Sequence, residues 1–208
     1  LEIHEAVPAS LEQLSRRASE AQVQVFHFDG HGDFGRRCAG CQKILPPWVD
    51  DCCDSAPLNR PSGYLLFDDE DGRGVPHDAS DVLHTLYSSA RYGGLQFAMV
   101  NACKSSSQDA TTAFGGIAAA LVRAGFPAVV GMLTSINDRA VEPFVIGLYR
   151  VLNAALKSRN LPGQVAARVF LQAVSTARRQ MMTEGDELAR RSWWIPTLNL
   201  RYRSGEEI

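Results

Sequence analysis

The sequence lacks the features of several large protein classes. No apolar run approaches the roughly 18–20 residues that a membrane-spanning helix needs. The first residues, LEIHEAVPAS, have neither the basic start nor the long apolar stretch of a secretory leader. The chain also has no internal repeat and no low-complexity tract. These absences favour a globular domain with no membrane partner.

A strong charge of one sign is missing as well. The 21 Lys and Arg residues nearly balance the 23 Asp and Glu residues, giving a net charge of −2. The arginine pairs are scattered and interleaved with acids, which is typical of solvated helix faces rather than of a phosphate-binding surface. We therefore expect no direct nucleic-acid partner.

Two common catalytic patterns are absent. The chain has no G-x-S-x-G nucleophile elbow and no glycine-rich loop of the kind that binds phosphates. The sequence thus disfavours a serine hydrolase of the elbow type and a nucleotide-binding enzyme.

Length and composition indicate one α/β domain. The chain has 208 residues, of which 45% are apolar and 21% charged, so it can bury a sizeable core. It begins with Leu and enters almost directly into ordered-looking sequence, so we expect residues 1–208 to form one domain whose N-terminal part is missing.

Alternating apolar patterns predict the order of the elements. Strands are predicted at residues 1–4, 23–28, 63–67, 95–100 and 128–133, with a last apolar segment at 197–202. Helices are predicted at 8–20, 78–90 and 112–123, followed by two long ones. Residues 33–61, rich in cysteine and proline, are predicted to be an irregular insertion. This alternation favours a mostly parallel sheet with helices on both faces.

A histidine and a cysteine follow the two strongest predicted strands. His31 comes after VQVFHF through a glycine-flanked turn, and Cys103 comes after LQFAMV. Parallel strands place their carboxyl ends at one edge of a sheet, so the two side chains are expected to meet there. A thiolate nucleophile and an imidazole that transfers protons are what acyl transfer to cysteine needs.

Glycines on both sides of His31 give this turn a second role. Gly30 and Gly32 permit a tight turn and leave the backbone open to a substrate. The N–H groups of Gly32 and Cys103 are then candidate donors to an oxyanion.

The segment VFHFDGHGDF and the later segment FAMVNACKSS resemble the CHAT domain family, a branch of the caspase-like cysteine peptidases related to separases, gingipains and metacaspases. GYLLFDD, GGIAAALVRAGFPAVVGMLTSINDRAVEPF and WWIPTL extend the similarity over residues 23–200. The resemblance implies a caspase-like three-layer sandwich. It also implies a cysteine endopeptidase that cleaves a protein substrate through a thioester acyl-enzyme and needs no cofactor for catalysis.

The same resemblance assigns roles and partners. His31 and Cys103 are the implied catalytic pair, and the N–H groups of Gly32 and Cys103 are the implied oxyanion donors. A fused or associated sensor, often a helical-repeat region, is expected to hold the domain inactive until it is triggered, in a setting such as bacterial defence. The alternative is a catalytically idle interaction module, against which the intact His31 and Cys103 argue.

The substrate pocket departs from part of the family. Relatives that prefer basic residues often carry an acid two positions before the nucleophile, where this chain has Asn101. A basic preference therefore does not follow from the resemblance. Asp29, Asp33 and Asp138 are the remaining candidate pocket acids.

Cysteine is abundant in one place only. Four of the five cysteines lie within residues 38–53. An odd number of cysteines in a mid-sized chain favours a reducing cytoplasm, with thiols used for chemistry or metal binding. Cys38-x-x-Cys41 followed by Cys52-Cys53 is spaced suitably for a structural zinc, although adjacent cysteines rarely both ligate one ion. Plain reduced thiols are the alternative.

Overall fold

A computed structural model describes residues 2–21, 23–53, 56–89, 95–102, 116–157 and 167–201. Six helices and eight strands are assigned within these ranges. In chain order they are α1 (Leu11–Glu20), β1 (Val25–Gly30), β2 (Gly32–Arg37), β3 (Ile44–Leu45), β4 (Ser62–Asp68), β5 (Gly74–Asp78), α2 (Ala79–Ser89), β6 (Phe97–Ala102), α3 (Ile117–Ala124), β7 (Ala128–Met132), α4 (Asp138–Lys157), α5 (Ala167–Thr183), α6 (Glu187–Ser192) and β8 (Pro196–Leu200).

The main sheet has the strand order β1-β6-β7-β8. β1, β6 and β7 run parallel, and β8 is antiparallel to β7. Every residue of β6 is buried, as expected for an inner strand covered on both faces. Because three strands are parallel, their carboxyl ends lie at one edge of the sheet.

Side chains alternate between the two faces of β6, and each face has its own core. Ala98 and Val100 pack with residues of α1, α2 and α3. Phe97 and Met99 pack with residues of α4 and α5. Phe97 stacks on Phe170 at 5.3 Å between ring centroids, and fully burying such a ring contributes roughly 1.5–3 kcal/mol. The predicted three-layer α/β sandwich is confirmed.

A second, antiparallel sheet has the order β3-β2-β4-β5. It joins the main sheet directly after β1, because β2 begins two residues after β1 ends. The N–H of Leu66 in β4 donates to the carbonyl of His31 at 3.0 Å, which fixes the backbone between the sheets. β2 and β3 occupy part of the segment that the sequence predicts to be irregular.

Gly63 lets β4 approach the start of α3 closely. A Cβ atom at this position would overlap the backbone nitrogen of Ile117 and lie 2.8 Å from its Cα. The close contact holds the first turn of α3 against β4.

Side-chain caps define the start of several helices. Ser10 accepts a hydrogen bond from the N–H of Gln13 at α1, and Asp78 accepts from the N–H groups of Ser80 and Asp81 at α2.

The strand predicted at residues 1–4 is wrong for the described residues 2–4, which form neither helix nor strand. Among the described residues, no helix is both long and apolar enough to cross a membrane.

Candidate active site

The two predicted catalytic residues, His31 and Cys103, directly follow β1 and β6 in the sequence. The two strands pair in parallel, with Asp29 opposite Asn101 and Gly30 opposite Ala102. His31 is the residue after Gly30, and it is exposed to solvent. Cys103 is the residue after Ala102 in the sequence, but it lies outside the described residues.

A cleft opens at this edge of the sheet. It has a volume of about 260 Å³ and is lined by residues 29–31 from β1 and the following turn, by Asn101 and Ala102 of β6, and by Ile136 and Asp138 before and at the start of α4. The cleft lies at the carboxyl edge of the strands, where open parallel sheets carry their active sites. It gathers four predicted site residues, namely Asp29, His31, Asn101 and Asp138.

One hydrogen bond joins the two strands beside this cleft. The Nδ2 of Asn101 donates to the Oδ1 of Asp29 at 2.8 Å. Asn101 is only 8% exposed, whereas Asp29 is open to solvent. An ionised carboxylate can only accept hydrogen bonds, so the amide of Asn101 must present its NH₂ group to Asp29. The bond orients both polar side chains at the strand ends.

The remaining predicted pocket residues lie beside the cleft rather than in its lining. Gly32 begins β2 and pairs with Leu65 of β4, directly after His31. Asp33 also belongs to β2, and its Oδ1 accepts a hydrogen bond from the N–H of Phe34 at 2.8 Å. Asp33 does not line the cleft.

The other histidine of β1 occupies a different environment. His27 lies 5.6 Å from the ring of Tyr149 of α4, between ring centroids. It lines a groove of about 1020 Å³ between β1 and the N-terminal residues. Desolvation by the surrounding protein lowers the pKa of His27, and the nearby charge of Asp29 acts in the opposite direction. The contact of His27 with Tyr149 is a packing contact outside the cleft.

Ile136 lines the cleft although the sequence analysis does not single it out. Its position could be inferred from the sequence, because β7 is the third parallel strand and the residues that follow it must leave the sheet at the same edge. Asn137 then accepts a hydrogen bond from the N–H of Arg139 and starts α4. This cap fixes where Ile136 and Asp138 meet the cleft.

The four clustered cysteines converge at the end of β2. Their sulfur atoms all lie within 4.8 Å of one another, and the four thiols are free. The backbone N–H of Cys41, aided by those of Cys53 and Gly40, lowers the pKa of Cys38 to about 6, although burial opposes this shift. Hydrogen bonds to the sulfurs of Cys41 and Cys38 raise the pKa of Cys52 to about 12. The cluster is close enough to hold a metal ion.

Comparison with known families gives one match. The family model described as the CHAT domain matches residues 2–198. No match was found among curated proteins or among solved structures. The match covers the cleft and both sheets, apart from the last two residues of β8.

Proposed function

Because the chain belongs to the CHAT domain family, we propose that it is a cysteine endopeptidase in which Cys103 is the nucleophile and His31 the acid–base residue. The family is associated with caspase-like proteases. The proposed substrate is a protein, and catalysis uses no cofactor.

The pairing of β1 with β6 is the observation that supports this proposal best. Gly30 lies opposite Ala102, and neighbouring strands are about 4.8 Å apart. The chain positions that follow these two residues are occupied by His31 and Cys103. A thiol and an imidazole leaving adjacent strands at one edge would be within reach of the same peptide bond.

The proposed reaction has two steps. His31 accepts the thiol proton of Cys103, whose sulfur attacks the scissile carbonyl carbon, and the C–N bond breaks as His31 passes that proton to the leaving amine. The product of this step is a thioester. His31 then takes a proton from water, whose oxygen attacks the thioester carbon, and the thiol and the carboxylic acid product are released. The N–H groups of Gly32 and Cys103 would stabilise the oxyanion in both steps.

The size and charge of the cleft suggest what it recognises. Its volume of about 260 Å³ is below the roughly 300–1,000 Å³ of small-molecule sites, which favours a single amino-acid side chain as occupant. Asp29 and Asp138 give its lining a negative charge. We therefore propose that the cleft prefers a cationic residue immediately before the cleaved bond. Asp29 and Asp138 would pair with that residue, in place of the acid that some relatives carry at the position of Asn101.

A thiol-reactive peptide probe, such as an acyloxymethyl ketone, tests the proposed function. Labelling confined to Cys103, and slowed in His31→Ala, is the expected result because the imidazole activates the thiolate. His84→Ala is the matched control and should be labelled at the normal rate, since His84 is exposed on α2 and does not line the cleft. A probe that reacts with the clustered cysteines but not with Cys103 would argue for the idle module.

The proposed cationic preference depends on Asp138. Asp138→Asn is expected to reduce the ratio of kcat/KM for an Arg substrate over a Gln substrate by about tenfold, the equivalent of losing roughly 1.4 kcal/mol of charge pairing. Glu142→Gln is the control, because it removes the same charge one turn further along α4 and does not line the cleft. Equal ratios in wild type and Asp138→Asn would contradict the role of Asp138.

The proposal also concerns how the protease is controlled and where in the cell it is located. An exposed catalytic edge in a protease requires control, and we propose that a fused or associated sensor provides it, in a setting such as bacterial defence. The four described cysteines are free thiols, which fits a cytoplasmic location.

A further inference from the structure

Residues 38–53 and 56–61 hold a defined conformation with almost no core of their own. Of the described residues in this segment, Cys38 alone is buried. Ordering each residue costs roughly 1–2 kcal/mol of backbone entropy, and small units without a core are usually stabilised by disulfides or metals. The segment therefore needs another source of stability.

The sulfur atoms have the spacing of a tetrahedral metal site. Sγ of Cys52 lies 3.5 Å from Sγ of Cys41 and 3.8 Å from Sγ of Cys53. A zinc ion with Zn–S bonds of about 2.3 Å requires S–S distances of about 3.8 Å. The other pairs lie within 4.8 Å, so side-chain movements on the order of 1 Å complete the tetrahedron.

A backbone hydrogen bond closes the turn that carries the first pair. The N–H of Gln42 donates to the carbonyl of Cys38 at 2.9 Å, so Cys38 and Cys41 lie on one short turn. Cys-x-x-Cys turns of this kind supply two of the four ligands in many structural zinc sites.

We propose that Cys38, Cys41, Cys52 and Cys53 bind one structural Zn²⁺ ion. Four Zn–S bonds form, the thiol protons pass to solvent, and the resulting centre carries a charge of −2. Arg36, Arg37 and Lys43 flank the first pair in the sequence, and Arg36 forms an ion pair with Asp50 at 2.7 Å. This site is separate from the proposed active site and does not depend on the proposed peptidase activity.

Disulfides explain the cluster less well. A disulfide requires sulfur atoms about 2.05 Å apart, and it would join two cysteines at a time, whereas these four sulfurs converge on one point. Four thiolates around one point suit zinc or iron. Zinc is the better fit because Cys53 is exposed and a redox-inert ion tolerates contact with solvent.

The proposed ion would connect the two ends of the segment. It ties the β2–β3 turn, which carries Cys38 and Cys41, to the loop that carries Cys52 and Cys53. β2 begins directly after His31, so the zinc site also holds the strand that leaves the proposed active site.

Metal analysis of the full chain, purified in reductant without added metal, tests this proposal. About one zinc per chain is expected in the wild type and in Cys103→Ser, and Cys41→Ser combined with Cys52→Ser should lower zinc affinity about 100-fold or more. Titration with Co²⁺ should give the absorption bands of tetrahedral thiolate coordination, saturating at one equivalent. Cys103→Ser separates the two proposals, because it should lose peptidase activity and keep its metal.

Three results would overturn the zinc assignment. They are a metal-free chain that gives no cobalt spectrum, a spectrum that persists in the double variant, and one equivalent of iron in place of zinc. A protein mass lower by two hydrogens per cysteine pair would show that the cysteines form disulfides and do not bind zinc.

Limited trypsin digestion gives a second readout that needs no variant. Chelation of the wild-type chain should accelerate cleavage after the exposed Lys43, because this residue lies in the segment that the ion stabilises. Cleavage after Arg73, an exposed residue of the β4–β5 turn, should keep its rate. Unchanged cleavage after Lys43 would show that no metal holds the segment.

Discussion

Replacing Cys103 with Ala is expected to lower kcat/KM for a cleavable peptide by roughly 10⁴-fold or more, because no covalent intermediate can form without the sulfur. The measurement is hydrolysis of a fluorogenic peptide library by purified variants of equal thermal stability. Stability should be nearly unchanged, since Cys103 follows the last buried residue of β6.

Ser19→Ala is the control for that experiment. It truncates a small side chain at an exposed position of α1 outside the cleft, so it should retain most of the activity. Cleavage by Cys103→Ala within tenfold of the wild-type rate would refute the assignment of the nucleophile.

His31→Ala should lower kcat/KM by about 10²–10⁴-fold, the usual contribution of a positioned acid–base group. The residual activity should also rise with pH through about 8.5, because an ordinary thiol must then ionise without help from an imidazole. A pH–rate profile of each variant measures both effects.

His27→Ala controls for loss of a histidine from the same part of the chain. His27 lies on β1 and contacts Tyr149 rather than the cleft. This variant should keep the wild-type shape of the pH–rate profile, even where lost packing reduces its stability. If His27→Ala changes the profile and His31→Ala does not, His27 is the acid–base residue and the proposed mechanism is wrong.

The buried layers of the fold could be predicted from the sequence. The runs VQVFHF and LQFAMV consist mostly of apolar, β-branched and aromatic residues. They overlap β1 and β6 of the main sheet. Stripes of apolar residues at helical spacing likewise predicted α1, α2 and α4. These elements are stabilised by their own side chains in the core, so local pattern and final structure agree.

Elements that depend on a neighbour could not be predicted in the same way. β2 has the sequence GDFGRR and β5 has GVPHD, both rich in residues that are poor strand formers. They become strands because β4, whose Tyr64 and Leu65 are buried, offers hydrogen-bonding partners on both sides. α6 is only six residues long and has no periodic stripe, although its capping Asp186 was a local indication.

The candidate site was predicted in part. The carboxyl-edge rule led to His31, and of the three candidate pocket acids Asp29 and Asp138 line the cleft whereas Asp33 does not. The hydrogen bond between Asn101 and Asp29 could not be predicted, because it depends on the register of two strands separated by many residues. The convergence of the two cysteine pairs also required the path of the chain between them.

The contact of Gly63 with Ile117 has a consequence for how such domains diversify. The segment 103–115 departs from the buried end of β6 and returns to an α3 whose first turn is held against β4. With both anchor points set by the core, doubling the length of the chain between them would cost only about 0.6 kcal/mol in closure entropy. The length and sequence of the chain between these two anchor points can therefore change during evolution while the scaffold keeps its stability.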